Sequence, residues 1–77
     1  MVLEKLTQLF REIFADENLI LTLETSPNEI EEWDSLSQVL IVEEVEKTFQ
    51  IKMDLDEVFK IKNVGDLVKI IEGKLIH

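Results

Sequence analysis

The chain has 77 residues with 17 Asp and Glu against 8 Lys and Arg, a net charge of −9. That fits one small domain with a modest core and leaves no room for a deep catalytic cleft with its supporting shell. Cysteine is absent, which excludes a disulfide and a cysteine zinc site and suits a reducing cytoplasm.

In chain order, Leu3, Leu6, Phe10, Ile13 and Phe14 recur at helical spacing with Leu9 close by, predicting an amphipathic first helix that Asp16-Glu17-Asn18 breaks. Residues 17–33 read as a long connection anchored by Leu19, Ile20, Leu21, Leu23 and Ile30. Inside it, Ser26-Pro27-Asn28-Glu29 carries the signs of one short helical turn: a capping serine, a proline at the first position and a glutamate to reach back. A second helix starts at Asp34-Ser35, with Val39, Val42, Val45 and Phe49 as its expected buried face. Asp54 caps a short third helix with Glu57 completing the box, and Val58 and Phe59 supply its apolar contacts. Asn63 caps the last helix, Asp66 stands where its reciprocal partner belongs, and Val64, Leu67, Val68, Ile71 and Leu75 form the stripe that Gly73 ends. No segment shows the alternation of a paired strand. The expected fold is all-α: a bundle of three main helices plus one short helix, with a long first loop, over a single domain of residues 1–77.

Charge is unevenly placed. From Glu12 to Glu46 there are eleven acids and no Lys or Arg, while Lys47, Lys52, Lys60, Lys62, Lys69 and Lys74 follow. Such a field repels nucleic acid and anionic lipid and steers toward basic protein surfaces. No apolar run approaches the roughly 20 residues that span a bilayer, and Met1-Val2-Leu3-Glu4-Lys5 does not read as a signal peptide. A monomeric, cytoplasmic protein is expected, without nucleic-acid binding or membrane insertion.

No catalytic constellation emerges. The only histidine is His77, a terminal residue, so no Ser-His or Cys-His pair forms. The carboxylates follow no calcium-loop spacing, there is no HExxH, and two glycines make no phosphate loop. No metal site is expected.

The chemistry-bearing segment is Asp34-Ser35-Leu36, where the acidic loop meets the second helix. Unpaired N–H groups and a partial positive charge at a helix start favour a phosphate. A first-turn hydroxyl there also faces outward, within reach of a modifying enzyme. On its own the tripeptide is more often a plain cap, because Asp and Ser are preferred cap residues.

The wider pattern is more specific. Trp33-Asp34-Ser35-Leu36-Ser37-Gln38-Val39, the helix ending in Glu46-Lys47-Thr48-Phe49, then Ile51-Lys52-Met53, a short acidic helix, and Ile61-Lys62-Asn63-Val64 resemble the acyl carrier proteins across essentially the whole chain. The resemblance implies that Ser35 carries a covalent 4′-phosphopantetheine donated by coenzyme A and attached by a phosphopantetheinyl transferase. It implies an acyl cargo held as a thioester, and acyl-loading and acyl-transfer enzymes with basic docking patches. It places partner recognition on Asp34, Leu36, Leu40, Glu43 and Glu44. The sequence departs from the family at Glu32, where Gly is common, at Ser37, where Asp is common, and at Leu40, where Glu is common. These departures suggest a specialised carrier of a lipid, polyketide or related pathway. An aminoacyl or peptidyl carrier, and an unmodified helical interaction module, stand as alternatives. Leu40 is expected on an exposed, mostly acidic ridge. Trp33 either plugs the loop onto the bundle, or shields the arm or contacts partners.

Overall fold

The computed structural model describes residues 2–30 and 32–75, so Glu31 and His77 lie outside it. Four helices follow in order: α1 (Val2–Ile13), α2 (Ser35–Phe49), α3 (Leu55–Phe59) and α4 (Val64–Leu75), with no strand among the described residues. The all-α expectation of three main helices, one short helix and a long first loop holds.

α1 packs against both α2 and α4. Leu6 and Phe10 of α1, Ile41 and Val45 of α2, and Val64, Leu67 and Ile71 of α4 close the centre. Phe10 organises the middle: its ring meets Phe14 edge-on at 5.8 Å and Trp33 edge-on at 5.2 Å. Such offset and edge-to-face pairs add to what area burial alone contributes.

The buried face of α2 differs from expectation. It consists of Ile41, Val42 and Val45, with Phe49 half-buried, whereas Val39 is 51% exposed. At about 100° per residue, Val39 lies about 120° from Val45, the centre of the face, while Ile41 and Phe49 lie about 40° from it. The first half of α2 is apolar on nearly every side, so more than one stripe fits the spacing, and packing on α1 selects the one through Ile41. Leu75 is also more exposed than expected, and Gly73 lies within α4 rather than ending it. Ile20 and Leu23 are exposed, so Leu21 and Ile30 are the loop's buried anchors, with Leu19 half-buried.

The long loop is ordered by its own hydrogen bonds. Arg11 Nε donates to the Leu19 carbonyl at 2.7 Å. Thr25, the one buried polar residue among those described, accepts from the Thr22 N–H at 2.9 Å. In the Ser26–Glu29 turn, the Glu29 carboxylate accepts from the Ser26 N–H at 3.1 Å, as a capping glutamate should.

The loop in turn caps α4. The Val64 N–H donates to the Thr25 carbonyl at 2.8 Å, and the Gly65 N–H to the Leu23 carbonyl at 2.7 Å. These are two of the N–H groups that a helix start leaves without intrahelical partners. Asn63 Oδ1 takes a third, from Asp66, at 2.8 Å. Asp66 reaches back one residue further than expected, to the Lys62 N–H at 2.9 Å.

The close approach explains Gly65. A Cβ there would stand 2.8 Å from the Leu23 carbonyl oxygen and 3.2 Å from Asn63 Oδ1. Gly65→Ala is therefore expected to destabilise the fold by about 1–3 kcal/mol, the overpacking cost outweighing the better helix propensity of alanine. At Gly73 a Cβ meets nothing within 4 Å, so Gly73→Ala should stabilise by about 0.5–1 kcal/mol. Urea denaturation of the two variants checks the pair, and equal effects at both positions would remove the steric argument.

Candidate functional site

Asp34 caps α2 with extended backbone, and its Oδ1 accepts from the Ser37 N–H at 2.9 Å. That hydrogen bond, above all, holds the Asp34 carboxyl below the ordinary carboxylate value, because it favours the charged form. The Ser37 hydroxyl donates to the Glu32 carbonyl at 2.6 Å and ties the last residues of the loop to the first turn of the helix. Ser37 thus fastens the corner between loop and helix.

Ser35 is the first residue of α2. Its side chain is exposed and makes no hydrogen bond to the described residues. Capping falls to Asp34, which leaves the Ser35 hydroxyl free beside the positive end of a 15-residue helix.

Ser35 opens onto a groove of about 530 Å³ between α2 and α3. One wall is Val39. The other is α3, through Leu55, Val58 and Phe59, with Trp33 at the inner side and Gln38 and Ile61 below. Leu55 and Phe59 are 72% and 78% exposed. Phe59 therefore does not supply the bundle contact expected of it: a helix of five residues buries none of its side chains and turns its apolar groups toward the groove.

α3 is held by polar ties. The Glu57 carboxylate accepts from the Asp54 N–H at 2.9 Å and from Lys74 Nζ of α4 at 3.0 Å, and Met53 N–H donates to Glu46 at 2.9 Å. The Asp54 N–H first, then Lys74, holds the Glu57 carboxyl below its ordinary value.

Trp33 plugs the loop onto the bundle, the first of its two expected roles. It is 5% exposed, and its Nε1–H donates to Gln38 Oε1 at 2.6 Å. Gln38 Nε2 donates onward to the Val58 carbonyl at 3.4 Å. Gln38 escaped the sequence reading. Its signal was a lone amide on the inner side of a helix, five residues from the only tryptophan.

The residues expected to recognise partners do not share one surface. Leu36 and Leu40 are exposed, Leu36 to 72%, and share the outward face of α2 with exposed Glu43 and Lys47, all within about 60° around the axis. Glu44 is half-buried on the flank, 3.9 Å from Lys47. Asp34 belongs to the groove mouth instead. The exposed Leu40 agrees with the ridge expected of it. No group of three or more metal-ligating side chains occurs among the described residues. No helix among them is long and apolar enough to cross a membrane.

The arrangement suits a phosphodiester-linked arm. An exposed hydroxyl stands at a helix N-terminus, which favours phosphate, and a mostly apolar trough leads away from it. When bound, the arm supplies a terminal thiol that carries acyl groups as thioesters.

The family described as "Phosphopantetheine attachment site" matches residues 4–71. Among solved structures, the chain is similar to the solution NMR structure of the holo acyl carrier protein from Geobacter metallireducens, with 45% identity and a TM-score of 0.88 over 95% of this chain and 84% of that one. No curated protein matches the chain. An all-helical bundle, a match over most of the sequence and a structural neighbour of that identity lead to one assignment: the chain belongs to the phosphopantetheine attachment family, as an acyl carrier protein-like domain that is a carrier and not an enzyme, with covalently attached 4′-phosphopantetheine as its cofactor.

Proposed function

We propose that Ser35 is the attachment point, and that the protein carries acyl intermediates as thioesters between cytoplasmic enzymes of a specialised lipid, polyketide or related pathway. The observation that carries this reading is the free, exposed Ser35 hydroxyl at the start of α2, opening onto the α2–α3 groove. In the loading step the Ser35 oxygen forms a bond to the pantetheine-side phosphorus of coenzyme A. The phosphoanhydride bond breaks, adenosine 3′,5′-bisphosphate leaves, and the hydroxyl proton passes to a base of the transferase. Asp34 acts in cis by fixing the first turn.

Incubating the protein with coenzyme A, magnesium and a broad-specificity phosphopantetheinyl transferase should add the mass of one phosphopantetheine. Folded protein that gains no mass with several transferases would sink the reading.

The outward face of α2 is the proposed docking ridge. Leu36 and Leu40 supply apolar contacts, and Glu43, with Glu44 on the flank, supplies charge for a basic partner surface, to which Asp34 adds from the groove mouth. Leu40→Asp should change stability by no more than about 1 kcal/mol, since Leu40 is 46% exposed and outside the core. The same variant should lower kcat/KM of loading or acyl transfer by about tenfold or more, the loss expected when an apolar contact residue is replaced by a charge. A variant that unfolds, or one that loads and transfers normally, would remove Leu40 from the ridge.

A further inference from the structure

We propose that Trp33 sets the cargo length: it closes the bundle interior to the acyl chain and confines cargo to the open side of the groove, so this carrier is suited to short acyl groups and does not enclose long ones. The inference rests on Ser35 being the attachment point.

Three observations carry it. Trp33 forms the inner side of the groove that Ser35 opens onto, and it is 5% exposed. Behind it stand core side chains: its ring is edge-on to Phe10 at 5.2 Å and 85°, and Phe10, Leu6, Ile41 and Ile71 are fully buried. Displacing a ring from so closely packed a core disturbs every contact around it. The indole is also fixed in place by its 2.6 Å hydrogen bond to Gln38, whose amide reaches the α3 backbone at Val58. Swinging the ring aside would strand both the indole N–H and the Gln38 carbonyl, a loss the fold resists.

The arm leaving Ser35 carries the acyl chain at its far end, so cargo folded back toward the bundle meets the indole and runs along the surface between Val39 and the exposed Leu55 and Phe59. The first few methylenes lose contact with water there. Later ones pass beyond α3 into solvent and gain nothing.

The test is a length series. Wild type and Trp33→Leu are loaded with acetyl, butyryl, hexanoyl, octanoyl and palmitoyl phosphopantetheine from the matching acyl coenzyme A, checked by mass, and melted. A fully buried methylene raises the melting temperature of so small a domain by several degrees. Wild type is expected to gain up to hexanoyl and then stay within about 1 °C through palmitoyl, while Trp33→Leu continues to gain beyond hexanoyl. A wild-type melting temperature that climbs through palmitoyl overturns the proposal, as does a plateau at the same length in both proteins. Should Trp33→Leu not fold, the wild-type series alone decides. Absence of any mass gain overturns the attachment reading itself and is seen before any melting is done.

Discussion

Ser35→Ala is expected to fold with a melting temperature close to wild type and to take up no phosphopantetheine at all. The two halves of that result have separate physical grounds. Loading requires an oxygen nucleophile at the helix start, and Ser37, the next hydroxyl, is half-buried and donates its proton to the Glu32 carbonyl. Stability, by contrast, does not depend on the Ser35 hydroxyl, which is exposed and makes no hydrogen bond to the described residues. Asp34 performs the capping, and alanine is a good helix former at the first position. The contrasting variant is Asp34→Ala, which removes a cap and should cost about 0.5–2 kcal/mol. Intact mass after transferase treatment, beside a thermal melt, reads both. Uptake by Ser35→Ala would move the attachment point elsewhere.

Phe10→Ala is expected to remove a large share of the chain's stability. Deleting a buried phenylalanine typically costs about 3–5 kcal/mol. Here the ring is fully buried and is the shared partner of Phe14 and Trp33, so two aromatic pairs are lost at once. A domain of 77 residues has a total stability of about 4–12 kcal/mol, at 0.05–0.15 kcal/mol per residue. The melting temperature should fall by roughly 15 °C or more. Denaturant titration followed by circular dichroism and by Trp33 fluorescence checks this. A loss below about 1 kcal/mol would show that the centre repacks freely and that Phe10 does not organise it.

The sequence disclosed the helices more readily than their orientation. Start signals are local: Asp34, Asp54 and Asn63 each act through atoms within three or four residues, and the structure places helices after all three. The buried face of α2 was not local. Leu36, Val39, Leu40, Ile41 and Val42 surround the helix with apolar groups, so spacing alone does not choose between them. The choice of Ile41 over Val39 is made by α1, which the α2 sequence does not contain. Gly73 shows the same limit, because a glycine ends a helix only where the chain turns away, and α4 continues to Leu75.

At the site, the Asp34-Ser35 junction was legible because capping chemistry and the family pattern agree there. The groove was not. Its walls come from two elements some twenty residues apart, and its apolar residues Val39 and Phe59 looked like core. Gln38 joins Trp33 to α3 through an amide at both ends, an arrangement visible only once α3 is in place.

The hydrogen bonds from Val64 and Gly65 to the loop carbonyls make those two amides a clock. Neither proton can trade with solvent deuterium while Thr25 and Leu23 hold them, and Val64 is itself fully buried. Their exchange rates therefore time a single event, the lifting of the loop from the end of the last helix, and separate it from the global unfolding reported by amides in the middle of α4.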